Sequence, residues 1–225
     1  MTLFPVGHAT RFTLRESVVD RLKAAITEGS LAPGTHLAEV ELSDALGVSR
    51  ATLREALRQL QQEGLLVQDG RGRVSVRRVS AAEVAEIFEV RLGLELIAVE
   101  RLCVLPDRVT VVEELRRRLG RLKVEVGLAE DLDADLDFHG TICSLAGNPT
   151  LYSAWKSLNG LIRVTMIAAG PAPARENLAY ERHAPIVDLI EAGDLESARS
   201  FLGKHMATAG ELLAARMSEA SADKP

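Results

Sequence analysis

Residues 31–66 read LAPGTHLAEVELSDALGVSRATLREALRQLQQEGLL. Within this stretch, apolar residues recur at helical spacing in two runs, and a glycine follows each run. Ser49 stands just before the second run and is a good N-cap. The stretch therefore predicts a short helix over residues 39–46, a tight turn, and a longer helix over residues 50–63.

The flanking sequence completes a small domain. Upstream, residues 14–28 carry a third helical stripe that a glycine ends. Downstream, two short β-branched runs at residues 65–67 and 74–76 flank a basic, glycine-rich tip at residues 69–73. Such a pattern predicts a β-hairpin. Three helices followed by a hairpin wing are typical of a winged helix-turn-helix, here over residues 14–79.

Beyond residue 80 the strand signals stop, and the fold class is mainly α. Helical stripes separated by proline or glycine cover residues 81–104, 107–126, 129–146, 149–169, 176–192 and 195–218. They predict an all-α bundle of about six helices over residues 80–219. Residues 1–13 and 220–225 are predicted to be tails.

Charge is distributed unevenly between the two parts. The whole chain has a net charge of −5, which by itself argues against a nucleic-acid partner. Residues 1–79, however, carry 11 lysines and arginines against 9 acidic residues, whereas residues 80–225 carry 16 against 23. Seven of the arginines lie within residues 50–78. A basic face on the first domain suggests a polyanion such as DNA as its partner, although on charge alone a solvated charged face is the favoured interpretation.

The arginines are placed for two kinds of DNA contact. Arg50 and Arg54 share one face near the start of the third helix, where an arginine can grip a phosphate or read guanine in the major groove. Arg71 and Arg73 lie on the predicted wing tip, in reach of the backbone or the minor groove.

The segments PGTHLAE, LGVSRATLREAL and EGLL resemble the DNA-binding domain of the GntR family of bacterial transcription regulators. In that family the recognition helix and a wing glycine contact the operator. The resemblance therefore implies DNA contacts from Ser49, Arg50, Thr52, Arg54 and Gly70. One position departs from the family pattern, because Val40 stands where several members have a DNA-contacting arginine.

Three histidines, His139, His183 and His205, lie on three different predicted helices of the bundle. Asp135 precedes His139 by four residues, so both point the same way from one helix. One carboxylate and three imidazoles suit a borderline divalent ion, with zinc preferred over nickel or manganese. On spacing alone, however, surface or core histidines and a merely solvated acidic run are the favoured interpretation of these residues.

The second part also resembles a known domain, the FCD domain of FadR-type GntR regulators. The matching stretches are residues 89–95, 135–139, 146–148, 181–183 and 191–194. The resemblance implies a metal held by Asp135, His139, His183 and His205. It also implies that Arg91 faces the ligand cavity, where it could pair with an effector carboxylate; a salt bridge to a carboxylate of the bundle is the alternative. Arg163 is a second effector candidate, for which a structural salt bridge is the favoured alternative. Pro185 makes His183 the least secure ligand, because proline disrupts the helix around it.

Together these features predict a ligand-responsive transcription regulator rather than an enzyme, with repression as the commoner mode in the family. It is expected to bind operator DNA as a homodimer and to respond to a small carboxylate. Two alternatives remain at this point: a dedicated metal sensor, and a metal-dependent hydrolase or lyase with an accessory DNA-binding domain. The latter lacks an HExxH motif or an obvious general base.

Only two cysteines, no signal-peptide pattern and no apolar run of about 18 residues lead us to expect a cytoplasmic protein without a membrane span.

Overall fold

The structure, a computed structural model, describes residues 13–124 and 126–222, and side chains as far as Ser218. Most of these residues are helical, and one small sheet is present among them, as the sequence predicts. Of the two predicted tails, residues 1–12 and 223–225 lie outside the described residues. No helix in the described ranges has both the length and the apolar content needed to cross a membrane.

The first domain, called the head from here on, has the predicted elements. They are α1 (Leu14–Thr27), α2 (Glu39–Leu46), α3 (Arg50–Gln62), β1 (Leu66–Gln68) and β2 (Val74–Val76). A capping box between Thr13 and Glu16 starts α1, and Ser49 starts α3 by accepting a hydrogen bond from the Thr52 N–H. The apolar faces of α1 and α3 pack together, so one face of α3 is left for solvent.

The wing is held by more than its own two strands. β1 and β2 pair antiparallel, with Leu66 opposite Val76. The loop before α2 adds backbone bonds to β2, from the N–H of Gly34 to the Val76 carbonyl (2.8 Å) and from the N–H of Leu37 to the Val74 carbonyl (2.9 Å). The wing is therefore anchored to the loop that leads into α2.

The second domain, called the body, is an α-helical bundle in which α4 packs most extensively against α10. Its helices are α4 (Ala81–Cys103), α5 (Val109–Leu119), α6 (Leu128–Leu145), α7 (Pro149–Ala169), α8 (Pro171–Leu178), α9 (Tyr180–Ala192) and α10 (Leu195–Ala222). Head and body touch where the end of α3 meets α7, with Gly64 beside Leu161.

The prediction of a single helix over residues 176–192 is wrong. Residues 170–173, read from the sequence as a connection, begin a separate helix, α8, because Pro171 fits the first helical position and Gly170 adopts a φ of 92° before it. Ala179, with ψ 135°, is extended and separates α8 from α9. The described body thus has one α-helix more than the six predicted.

Two predicted helix ends are also wrong. The helix predicted over residues 107–126 is shorter: α5 ends at Leu119, a 3-10 turn follows over Gly120–Lys123, and Val124 is extended. The last helix is longer than predicted and continues to Ala222, so the first part of the predicted C-terminal tail is helical. Residues 211–222 contain neither proline nor glycine, and several are strong helix formers.

Candidate nucleic-acid interface and metal centre

The exposed face of α3 begins at its N-terminus. Arg50 and Arg54 are both exposed there, as their spacing predicts. The Ser49 hydroxyl accepts from the Thr52 N–H (3.1 Å) and lies 2.9 Å from the Thr52 hydroxyl. These two hydroxyls therefore first serve to start the helix, while the arginines lie on the surface that it presents.

Arg54 is already oriented by a neighbouring helix. Its Nε donates to a Glu39 carboxylate oxygen at 2.7 Å, and its side chain remains 53% exposed. Glu39 lies in the first turn of α2, directly before the exposed Val40. α2 thus contributes an arginine-orienting carboxylate rather than a basic side chain of its own.

The wing tip is organised around one carboxylate. Asp69 accepts hydrogen bonds from the backbone N–H groups of Arg71 (2.9 Å) and Arg73 (3.0 Å) and from the Arg73 Nε (2.8 Å). These bonds, that from the Arg73 backbone first, hold the pKa of Asp69 below its ordinary value. The side chain of Arg73 is therefore held at the tip, whereas Arg71 bonds to Asp69 through its backbone.

The glycine that the tip requires is Gly72 rather than Gly70. Gly72 has φ +81°, a conformation that other residues rarely adopt. Gly70 has no positive φ, and a Cβ on it would meet nothing within 4 Å. This conformational requirement is separate from the DNA contact that the family resemblance implies for Gly70, which stays a prediction.

In the body, the structure brings the predicted metal ligands together. His139 on α6, His183 on α9 and His205 on α10 are all buried, and one ligand atom of each lies within 4.8 Å of those of the other two. Their ring centroids are 4.8 to 5.6 Å apart. We call these residues, with Asp135, the Asp/His cluster.

Asp135 faces two of these histidines. Its Oδ1 lies 2.9 Å from Nε2 of His183 and 3.7 Å from Nε2 of His139, and its Oδ2 lies 3.7 Å from Nη2 of Arg91. Burial alone would raise the pKa of Asp135, but these three neighbours together hold it below its ordinary value. The buried carboxylate is therefore ionised.

A second buried carboxylate, Glu95 on α4, contacts the Asp/His cluster through the Nδ1 side of His139. Its Oε2 accepts a hydrogen bond from Nδ1 of His139 at 2.6 Å. Its Oε1 accepts from Nε of Arg91 (2.8 Å) and Nε1 of Trp155 (3.1 Å). Burial opposes ionisation, yet His139 and Arg91 lower the pKa of Glu95 to about 2. A carboxylate on Nδ1 leaves Nε2 of His139 to face a ligand.

Sequence reasoning gave Glu95 no role. The available signal was the i, i+4 pair that it makes with Arg91 on the apolar face of α4, since two charged residues there must satisfy each other or a site. The sequence analysis assigns a role to Arg91 of this pair and none to Glu95.

The break between α8 and α9 orients His183. Because Ala179 lies just before α9, its carbonyl accepts a hydrogen bond from Nδ1 of His183 at 2.8 Å. Nε2 of that ring is thereby left to face Asp135. Pro185 lies inside α9, which continues past it to Ala192. The predicted disturbance therefore does not keep His183 away from the other candidates.

The Asp/His cluster fits a divalent cation. Three buried polar atoms meet there without a hydrogen-bond partner among the described residues: Nε2 of His139, Oδ2 of Asp135 and Nη2 of Arg91. Burial, together with the other two histidines, lowers the pKa of His205 to about 2, and burial lowers that of His139, so both rings are neutral. Neutral imidazoles and an ionised carboxylate are the donor set that a borderline divalent ion prefers.

The two effector candidates have different surroundings. Arg91 is buried beside the Asp/His cluster, with one end on Glu95 and Nη2 directed toward Asp135. Arg163 forms an ion pair with Asp133, the structural alternative expected from the sequence. It lines a cavity of about 610 Å³ between body and head, and none of the four ligand candidates lines that cavity. The structure therefore places only Arg91 next to the cluster.

Comparisons with known proteins cover both domains. Residues 14–76 match the family profile described as "Bacterial regulatory proteins, gntR family", and residues 86–208 match the profile described as "FCD domain". The chain is 33% identical over 88% of its length to a probable D-xylose utilization operon transcriptional repressor of Paenarthrobacter nicotinovorans, covering 88% of that protein as well. It is 28% identical to the gluconate operon transcriptional repressor of Bacillus subtilis, over 83% of this chain and 76% of that one.

Solved structures show the same fold. A putative GntR transcriptional regulator from Rhodococcus sp. RHA1 superposes with a TM-score of 0.73 at 24% identity, over 88% of this chain and 96% of that one. The E. coli protein McbR/YncC gives a TM-score of 0.66 at 24% identity, over 90% of this chain and 98% of that one.

Proposed function

The chain belongs to the GntR family of bacterial regulatory proteins and carries an FCD domain, and from that premise we propose that a small organic acid, bound beside a metal in the body, controls the affinity of the head for operator DNA. Its domains and relatives identify it as a transcription regulator rather than an enzyme. The proposed mode is repression, as the names of two relatives record for those proteins.

The metal is proposed to bind at the Asp/His cluster, with Asp135, His139, His183 and His205 as its ligands. When bound, the ion supplies a Lewis-acidic anchoring point for an anionic ligand. The protein's own part is orientation: Glu95 holds the ring of His139 through Nδ1, and the Ala179 carbonyl holds that of His183 in the same way. Zinc suits this nitrogen-rich set, and nickel and manganese are the alternatives.

The effector is proposed to be a small carboxylate, in the range of simple carboxylic and sugar acids. Arg91 supports this choice because its Nη2 is buried beside the cluster without a hydrogen-bond partner among the described residues. A guanidinium is the natural partner of a carboxylate, and a buried one binds it strongly. The relative that is named for a gluconate operon points to the same chemical class.

The head is proposed to bind DNA through the N-terminal part of α3 and the wing. Exposed Arg50 and Arg54 would enter the major groove, while Arg71 would contact the backbone or the minor groove. A homodimer would present two such heads to a pseudo-palindromic operator. The effector then acts only if it binds two arrangements of the heads with different affinity.

The observation that carries the proposal is the convergence of three buried imidazoles and a buried carboxylate from three helices. To test it, operator DNA would first be selected from a random duplex pool with the full-length protein. Operator affinity would then be measured by fluorescence anisotropy with zinc-loaded and chelator-treated protein, each with and without D-gluconate, citrate and acetate. An effect of an acid on DNA affinity that requires metal supports the proposal.

Other results would change or contradict the proposed function. If zinc alone changed operator affinity and no acid changed it further, the protein would be a dedicated metal sensor. If the protein bound metal and acid with no change in operator affinity under any condition, the proposed control of the head by the body would be wrong. A chain that selects no DNA sequence at all would contradict the role given to α3.

A further inference from the structure

An aliphatic stripe runs along the outer face of α4. Helical spacing places six residues on it, of which five are exposed and Leu94 is half-buried: Glu86, Val90, Gly93, Leu94, Ile97 and Arg101. Val90 and Ile97 are 53% and 46% exposed, and Gly93 and Leu94 lie between them. We call these six residues the α4 stripe. Exposed aliphatic side chains in line on one helix face favour a protein partner.

The order of residues along the α4 stripe is self-complementary. If a second α4 is laid antiparallel with its centre between Gly93 and Leu94, Val90 faces Ile97 and Ile97 faces Val90. In the same register Glu86 of each copy faces Arg101 of the other, so both ends of the contact carry opposite charges. A parallel arrangement would place each charge against its like instead. The pattern therefore favours a two-fold, antiparallel pairing.

We propose that the α4 stripe is the self-association surface of this chain, with a second copy bound antiparallel about the midpoint between Gly93 and Leu94. This inference rests on the homodimer in the proposed function and names the surface that forms it. Gly93 supports the close approach of two helices at the centre, because a Cβ there would meet nothing within 4 Å of its own chain. The centre is apolar and its ends are charged, as in interfaces between protein subunits.

The charged ends select this partner over others. Arg101 donates from Nε to the Ala146 carbonyl at 2.6 Å, which holds the side chain near the end of α6. A guanidinium has five N–H donors, so others remain for a carboxylate. A membrane surface or an unrelated apolar segment would use Val90 and Ile97 but would not need an acidic residue at one end and a basic residue at the other.

The surface also suits the task of the regulator. α4 carries Arg91 and Glu95 on its buried side, next to the Asp/His cluster. The same helix would thus contact the effector site on one face and the second copy on the other. Ligand binding could then alter the relation between the two copies without a long chain of intervening contacts.

The test is a charge-reversal pair in the full-length protein, with the dimer dissociation constant measured by sedimentation equilibrium. Glu86→Arg and Arg101→Glu each place like charges together twice in the two-fold contact, so each is expected to weaken the dimer by at least about tenfold. The double variant exchanges the charges and is expected to restore an affinity close to that of the wild type. Glu89→Arg, an exposed glutamate on α4 outside the stripe, is the matched control and should leave the dimer unchanged.

The outcomes separate this inference from the proposed function. If the single variants dimerise as tightly as the wild type, the homodimer stands but the α4 stripe is not its interface. If both single variants weaken the dimer and the double variant does not restore it, the antiparallel register is wrong. If the wild type itself is monomeric at micromolar concentration and on its selected operator, the homodimer in the proposed function fails. Circular dichroism confirms that each variant is folded.

Discussion

The backbone carbonyl oxygen of Glu63, at the end of α3, lies where a Cβ on Gly160 of α7 would come within 1.5 Å of it. Only glycine permits this approach of head to body. The Glu63 side chain also forms an ion pair with Lys23 of α1 at 2.7 Å. The residue that contacts α7 through its backbone therefore links two helices of the head through its side chain. Because Trp155 on the same helix α7 donates to Glu95, α7 physically joins the end of α3 to the surroundings of the Asp/His cluster.

Gly160→Ala is expected to separate the end of α3 from α7. The added methyl group would overlap a backbone oxygen, which no rotamer change relieves, so we expect a loss of about 1–3 kcal/mol in the free energy of unfolding. Urea denaturation measures this loss, and amide exchange at residues 63–65 should become faster. Gly203→Ala is the control: a Cβ there would meet nothing within 4 Å, and alanine should be neutral or slightly stabilising. Equal effects of the two substitutions would contradict the role given to Gly160.

His205→Ala should remove most of the bound metal and leave operator binding by the effector-free protein intact. The reason is that His205 supplies one of the converging imidazoles but lies on α10 of the body and not on the DNA-binding elements of the head. Metal per chain can be measured by plasma mass spectrometry after dialysis against buffer with trace zinc. The control is His36→Ala, which removes a histidine of the head and should leave the metal content of the protein unchanged. An unchanged metal content in the His205 variant would show that the site is wrong.

Glu95→Gln should weaken metal binding by about 10- to 100-fold, the usual cost of losing a carboxylate that orients a metal-binding histidine. Competition with a chromophoric chelator gives the affinity. Trp155→Phe is a useful comparison, because it removes one donor to Glu95 while leaving the bond from Nδ1 of His139 in place. It should weaken metal binding less. Wild-type affinity in the Glu95 variant would mean that His139 is positioned by packing alone.

Arg50→Ala and Arg54→Ala should each weaken binding to the selected operator by about 1–3 kcal/mol if these side chains read bases. Fluorescence anisotropy at low salt measures the loss. For Arg54 the substitution also frees Glu39, whose uncompensated charge would add to the effect near phosphates. Arg21→Ala, an exposed arginine on α1, is the control and should have little effect. Full affinity in the Arg50 variant would contradict the assignment of α3 as the reading helix.

The elements of the head could be predicted from the sequence because its signals are local. Ser49 caps α3 through a neighbour three residues away, and Gly47 ends α2 in the left-handed conformation. The apolar stripes of α1 and α3 then decide which faces pack together. The buried faces of the body helices could also be predicted, because the period of their apolar residues is a local signal. The three histidines and Asp135 come together in the structure.

Other features depend on contacts between distant residues, and the sequence hides them. Nothing near Ala179 in the sequence marks it as the break between two helices, and the missed break also hid the partner of His183. Gly160 lies within a long helical stripe, where it reads only as a weak helix former; its role depends on Glu63, far away in the chain. The function of Glu95 likewise depends on Trp155 and His139, which come from other helices.

The origin of the Asp/His cluster on α6, α9 and α10 has a consequence for biosynthesis. Domains generally fold as units, N-terminal first, while the ribosome is still making the chain. The head can therefore be complete before α10 exists, whereas the cluster gains His205 only after the other six body helices have been made. On the proposed function, a chain released early would carry a DNA-reading head without its control centre, and the cell would have to degrade it or tolerate a regulator that answers to no ligand.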